Sequence, residues 1–107
     1  MSDESFQSYR ERCGVLIGEG LTGMHNMPPP LATVSLDYEK LRLKIFWLGE
    51  HVFVPSDIEK FLPHQSPYSK GLRIVHRRTD CPSFIVIWSR MDLEEWLKKL
   101  EAAGFKL

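Results

Sequence analysis

Lys70, Arg73, Arg77 and Arg78 place four fixed positive charges within nine residues, with His76 between them and Asp80 as the nearest acid. Guanidinium groups grip phosphate or carboxylate in bidentate pairs, so Arg73 and Arg77 on a shared outward face would make this stretch an anion-binding candidate. A solvated strand edge, where charge discourages edge-to-edge pairing, accounts for the same residues. The other residues capable of chemistry are scattered. His25, His51, His64, His76, Cys13 and Cys81 include no close ligand pair of the kind zinc sites use, so neither a metal nor a cofactor is expected. Cys81 with His76 as base would need an orienting third group and oxyanion donors, and Cys81-Pro82 reads instead as a turn. Glu94 and Glu95 point to different sides of a helix and complement its dipole rather than forming an acid–base pair. Gly18-Glu19-Gly20 with Gly23 lacks the Lys-Ser/Thr ending of a phosphate loop and suits a bent strand or turn. No catalytic residues are assigned.

A different kind of surface is suggested by Met24, Met27, Pro28, Pro29 and Pro30. Methionine adapts to irregular partners, and three consecutive prolines hold an extended segment without backbone donors. These five residues are the protein-contact candidate, the alternative being that they pack over one end of the fold.

With 107 residues there is room for one core. Lys plus Arg and Asp plus Glu both count 14, which argues against a general nucleic-acid coat or a polybasic membrane anchor but leaves room for a local patch. No apolar run is long enough to span a bilayer, the start Met1-Ser2-Asp3-Glu4-Ser5 lacks the marks of a secretory signal, and two cysteines make no disulfide framework. A cytoplasmic protein with reduced thiols is the expectation.

The elements that must position these residues are mostly strands. Residues 1–12 read as an arm or short docking helix and 13–107 as one domain. Val15 to Ile17 opens the apolar pattern. Ala32, Val34 and Leu36 alternate with polar residues, as do Leu41, Leu43 and Ile45 beyond a turn at Asp37-Tyr38-Glu39-Lys40. His51 to Val54 is a third strand of this meander. Asp57 to Leu62 fits either a strand or one helical turn. Gly71 to Arg77 is strand-like, and Phe84 to Trp88 reads as a strand buried on both faces. The last element is a helix over about residues 90–103. Ser89 is its candidate N-cap; Leu93, Trp96, Leu97 and Leu100 form its apolar stripe; Glu94 and Glu95 fall four residues before Lys98 and Lys99; Gly104 is its stop.

Antiparallel strands followed by one capping helix is the order of the pleckstrin-homology-like (PH-like) barrel. The run Val52-Phe53-Val54-Pro55-Ser56-Asp57-Ile58-Glu59-Lys60-Phe61 resembles the segment leading into the middle of that barrel. Lys70-Gly71-Leu72-Arg73-Ile74-Val75-His76, a further strand, and a helix ending near Gly104-Phe105 resemble small bacterial PH-like domains. The similarity covers about residues 13 to 105. It implies a mainly β fold, about seven antiparallel strands in two nearly orthogonal sheets with the helix plugging one end; an open antiparallel sheet with one helix packed across it is the alternative.

Members of that superfamily bind phosphoinositides, peptides or proteins, and some bacterial relatives assemble into rings. The phosphoinositide binders carry Lys and Arg between their first two strands, whereas residues 18 to 30 contain neither. The expectation is therefore a non-enzymatic protein-interaction or self-assembly module. An anion-binding module for lipid head groups or nucleic acid, using Lys70, Arg73, Arg77 and Arg78, is the alternative.

Overall fold

The computed structural model of the protein describes residues 8–18, 24–46, 48–65 and 70–106. The chain forms β1 (Tyr9–Gly18), β2 (Met24–Asp37), β3 (Lys40–Ile45), β4 (Gly49–Phe53), a 3-10 turn (Pro55–Asp57), β5 (Ile58–Gln65), β6 (Lys70–His76), β7 (Phe84–Trp88) and α1 (Leu93–Ala102). All neighbouring strands are antiparallel, in the order β4-β3-β2-β1-β7-β6-β5. Hydrogen bonds run unbroken through these seven strands, giving a curled half-barrel sheet with one C-terminal helix. Of the described helices, none is long and apolar enough to cross a membrane.

Period-two alternation sets the inner face. Val34, Leu36, Leu41, Leu43, Phe53, Ile74, Ile85 and Ile87 are completely buried there. The helix lays Trp96 and Leu100 on this surface, and Ala103 and Phe105 complete the same core. Cys13 belongs to it too, and burial pushes its thiol up to about 12, so at neutral pH it is a small apolar filler. Among the described residues neither Cys13 nor Cys81 is in a disulfide.

Register explains the curl. Cys13 faces Ala32 while Val15 faces Met27, so Gly14 alone opposes the proline segment of β2. A Cβ at Gly14 would lie 2.7 Å from the Met27 carbonyl oxygen and 2.9 Å from Pro29 Cδ. The absent side chain lets the two strands bend together, dividing the sheet into a limb built on β2–β4 and a limb built on β5–β7. The resemblance sets residues 18 to 30 between the first two strands; instead Met24–Asp37 is one continuous strand, and the prolines sit inside it as an irregularity. The ambiguous Asp57-to-Leu62 segment supplies the start of β5. Tyr9–Arg12, assigned to the N-terminal arm, lengthen β1.

The helix starts at Leu93, three residues later than expected, with Asp92 rather than Ser89 as N-cap. Ser89 has other partners. Its Oγ accepts hydrogen bonds from Trp96 Nε1 at 2.8 Å and from the Met91 amide at 3.0 Å, and it donates to Glu11 Oε1. Tyr9 OH also donates to Glu11 Oε1, at 3.0 Å, and the Tyr9 ring meets Trp96 edge-on with centroids 5.7 Å apart. Burial, with Glu11 next to it, pushes the Tyr9 hydroxyl up to about 12. At the other end, Gly104 takes a left-handed φ of 98°, the Phe105 amide donates to Leu100 O and the Gly104 amide to Glu101 O. This is the glycine stop expected from sequence, with Leu100 and Phe105 in apolar contact across it. The two expected Glu–Lys pairs form no ion pair among the described residues; Lys99 Nζ instead lies 5.3 Å from the Tyr9 ring centroid.

Candidate functional site

Trp88 ends β7 on the outer face, and both strands beside it leave room for its indole. On one side its register partner is Gly14. On the other, a Cβ at Gly71 would lie 2.9 Å from Trp88 Cε3 and 2.6 Å from Val86 Cγ1. The indole N–H donates to Asn26 Oδ1 at 2.7 Å. From β5, His64 stands opposite Gly71 and reaches over it, its ring centroid 5.6 Å from Trp88 and 5.8 Å from Phe84. The Arg73 guanidinium covers the far side of Phe84 at 4.5 Å. Val86, beneath these rings, is completely buried although it points away from the main core. The outer face of this limb thus carries its own small aromatic layer.

At the Trp88 end the layer opens into a cleft of about 1320 Å³, lined by Trp88, His64, Asn26, Pro28, Pro29 and the residues entering α1. Lys70, Arg12 and Arg90 add positive charge to its wall, with Asp92 and Glu94 at the helix start. Small-molecule pockets usually hold roughly 300–1000 Å³, so this cleft has the scale of a polymer segment.

Pro28 and Pro29, two of the protein-contact candidates, therefore line the cleft, and Pro30 is exposed beside them. Met27 turns inward and packs on the core. Met24 pairs with Gly18 through its backbone at the start of β2. Trp47 lies outside the described residues.

The four anion-binding candidates are not brought together. Lys70 lines the cleft and Arg73 is stacked on Phe84, while the other two are tied to main-chain carbonyls. Arg77 Nη1 donates to Ile58 O at 2.7 Å and Ser56 O at 3.3 Å. Arg78 donates through Nη1 to Val52 O, through Nε to Asp80 Oδ1 at 2.8 Å and through Nη2 to Asp80 Oδ2, with Asp57 Oδ2 3.8 Å away. It clips the edge strand β4 to the β6–β7 connection. The Arg78 guanidinium holds the Asp80 carboxyl below its ordinary value, and Asp80 raises Arg78 in turn.

Replacing Arg78 with Met is expected to lower the thermal midpoint more than Asp80→Asn, which leaves the Val52 and Asp57 contacts intact. Arg78→Lys restores little, because one ammonium cannot serve three partners in different directions. The stabilisation from ionised Asp80 is complete above its ordinary pKa of 3.8 and is lost as the pH falls through the lowered native value. Melting the wild type and D80N at pH 6 and pH 3 checks this, with the difference between them shrinking at pH 3.

His76 and Cys81 are close, the sulfur 3.7 Å from Nε2 and 3.9 Å from Nδ1. Both ring nitrogens have other partners: Nδ1 accepts the Arg78 amide at 3.0 Å, which leaves Nε2–H to donate to Pro82 O at 2.8 Å. That assignment leaves no lone pair on the ring to take a thiol proton. Among the described residues no three His, Cys, Asp or Glu side chains gather as a metal site.

Sequence reading did not anticipate the pairing of His64 with Trp88, or Asn26 as its partner. The available signal was the glycines, Gly14 and Gly71, inside apolar strands, which mark close approach by something large. No protein-family model matches the chain, and no curated protein or solved structure is measurably similar to it.

Proposed function

We propose that the protein is a non-enzymatic interaction module of the PH-like type, which takes an extended segment of a protein partner in the cleft beside Trp88. The observation that carries this reading is the cleft itself, with a half-buried tryptophan, exposed prolines and cationic walls, and larger than the usual small-ligand pocket. Seven antiparallel strands and one C-terminal helix, in PH-like order, support that reading. A side-chain cleft is favoured over strand addition because both sheet edges are blunted. Pro63 interrupts β5, and the Arg78 guanidinium occupies the Val52 carbonyl of β4.

Tryptophan in the middle of an interface commonly contributes 2 kcal/mol or more, so Trp88→Ala should weaken binding by roughly 30-fold. The test is selection of a random peptide library on the wild-type domain, with affinities of the enriched peptides measured against W88A and H64A. Enriched peptides that lose affinity on both variants support the reading. No enrichment, with a monomer by sedimentation at every concentration, overturns both peptide capture and self-assembly.

A further inference from the structure

The outer face of the other limb carries an arrangement of charge that meets the cleft only at Arg12. Arg10 faces Ser35, which faces Arg42; Arg12 faces Thr33, which faces Lys44. The alternation that buries Val34 and Leu43 turns all six of these outward. They form two cationic rows, on β1 and β3, either side of a hydroxyl row on β2. With strands about 4.8 Å apart, the cationic rows stand about 9.6 Å from each other, and the hydroxyls repeat about every 6.8 Å along β2. The side chains rise around a depression of about 330 Å³ over Thr33 and Ser35, lined by Arg10, Arg42 and Lys44 and also by Asp37 and Glu50. Among the described residues none of the four cations is in an ion pair, and Arg42 Nε is buried without a hydrogen-bond partner.

We propose that this face binds the phosphate backbone of a single-stranded nucleic acid, laid along β2 so that successive phosphates sit over Thr33 and Ser35. Each phosphate then meets a hydroxyl donor below and a cation on either side, the charge-assisted geometry that phosphate oxygens favour. An extended strand presents its phosphates at a spacing close to the dipeptide repeat of β2. A peptide along β2 is disfavoured because β2 and β3 are paired on both sides here, leaving no main-chain groups of theirs to hold its backbone. No aromatic side chain lies among the residues that form the rows, so binding is through phosphates and indifferent to base. This surface shares only Arg12 with the Trp88 cleft.

The experiment is fluorescence anisotropy of a labelled twelve-nucleotide oligo(dT) with the whole protein between 50 and 200 mM salt. Two phosphates neutralised on a single strand give a log–log salt slope of about −1.4, a loss of roughly sevenfold over that range. Arg42→Gln with Lys44→Gln, or Arg10→Gln with Arg12→Gln from the opposite row, should each weaken binding at least tenfold. Lys60→Gln with Lys98→Gln, an equal loss of charge away from the rows, should change nothing. Either double variant suffices if the other fails to fold, as judged by circular dichroism. Absence of saturable binding at 50 mM salt overturns the proposal. So does binding that both double variants retain, or that Lys60→Gln with Lys98→Gln weakens equally. Binding of the rows to anionic vesicles or to a poly-glutamate peptide, with the oligonucleotide ignored, overturns it in favour of that partner.

Discussion

Trp96→Ala is expected to cost about 3–5 kcal/mol, the range for removing a large aromatic side chain from a core, and so to remove much of a small domain's stability. Trp96 is 1% exposed and is the largest side chain in the core. It is also the residue through which the helix is tied to β1. Its indole N–H reaches Ser89 Oγ, Ser89 donates to Glu11, and Glu11 accepts from Tyr9, whose ring meets the indole edge-on. Alanine therefore opens a cavity and removes the donor on which that network closes. Trp96→Phe keeps most of the volume but leaves Ser89 Oγ without that donor, and should cost less. Ser89→Ala keeps the volume and orphans the buried N–H, a loss of about 1–3 kcal/mol. Urea unfolding of the three variants gives the comparison. Equal midpoints for W96F and wild type would remove the polar network from the account and leave packing alone.

The same residues show what was legible in the sequence. Trp96 was readable as core because Leu93, Trp96, Leu97 and Leu100 repeat at helical spacing, and Gly104 was readable as the stop because nothing else in that segment tolerates a left-handed φ. The alternation of Ala32 to Leu36 and Leu41 to Ile45 likewise fixes which side chains face inward. Ser89 was misplaced as a cap because the local pattern of a hydroxyl followed by acids cannot reveal a tryptophan and a glutamate, seven residues later and 78 residues earlier, that claim the oxygen. The residues from Lys70 to Arg78 have separate partners for a related reason. Proximity in sequence placed four charges together, but Arg77 and Arg78 meet unpaired carbonyls of Ser56, Ile58 and Val52, groups whose need for donors arises only once the chain has folded. Conversely, the two rows on β1 and β3 looked like ordinary polar positions. Their meaning depends on strand order and register, since Arg10 and Arg42 are 32 residues apart in sequence yet flank the same serine.

Gly71→Ala carries the second large expected effect, because it reaches both the fold and the cleft. The added methyl would sit 2.6 Å from Val86 Cγ1, 2.9 Å from Ile87 O and 2.9 Å from Trp88 Cε3. None of these is the end of a flexible chain: Val86 is completely buried, Ile87 O belongs to the sheet, and the indole is held by Asn26 on its far side. Overpacking of this kind costs about 1–3 kcal/mol. Relief requires either a shift of β6 away from β7 or rotation of Trp88 out of its slot, and the second breaks the hydrogen bond to Asn26. The Trp88 indole N–H resonance separates these outcomes. A moved indole signal together with weakened peptide capture means that Gly71 holds the cleft open. An unmoved signal with lowered stability means that the strands part and the indole keeps its place. Gly14→Ala should be at least as damaging to folding, since its methyl meets the Met27 carbonyl and the rigid ring of Pro29. The two glycines thus have different work: Gly14 permits the bend that shapes the half-barrel, and Gly71 makes room for the residue that the bend exposes.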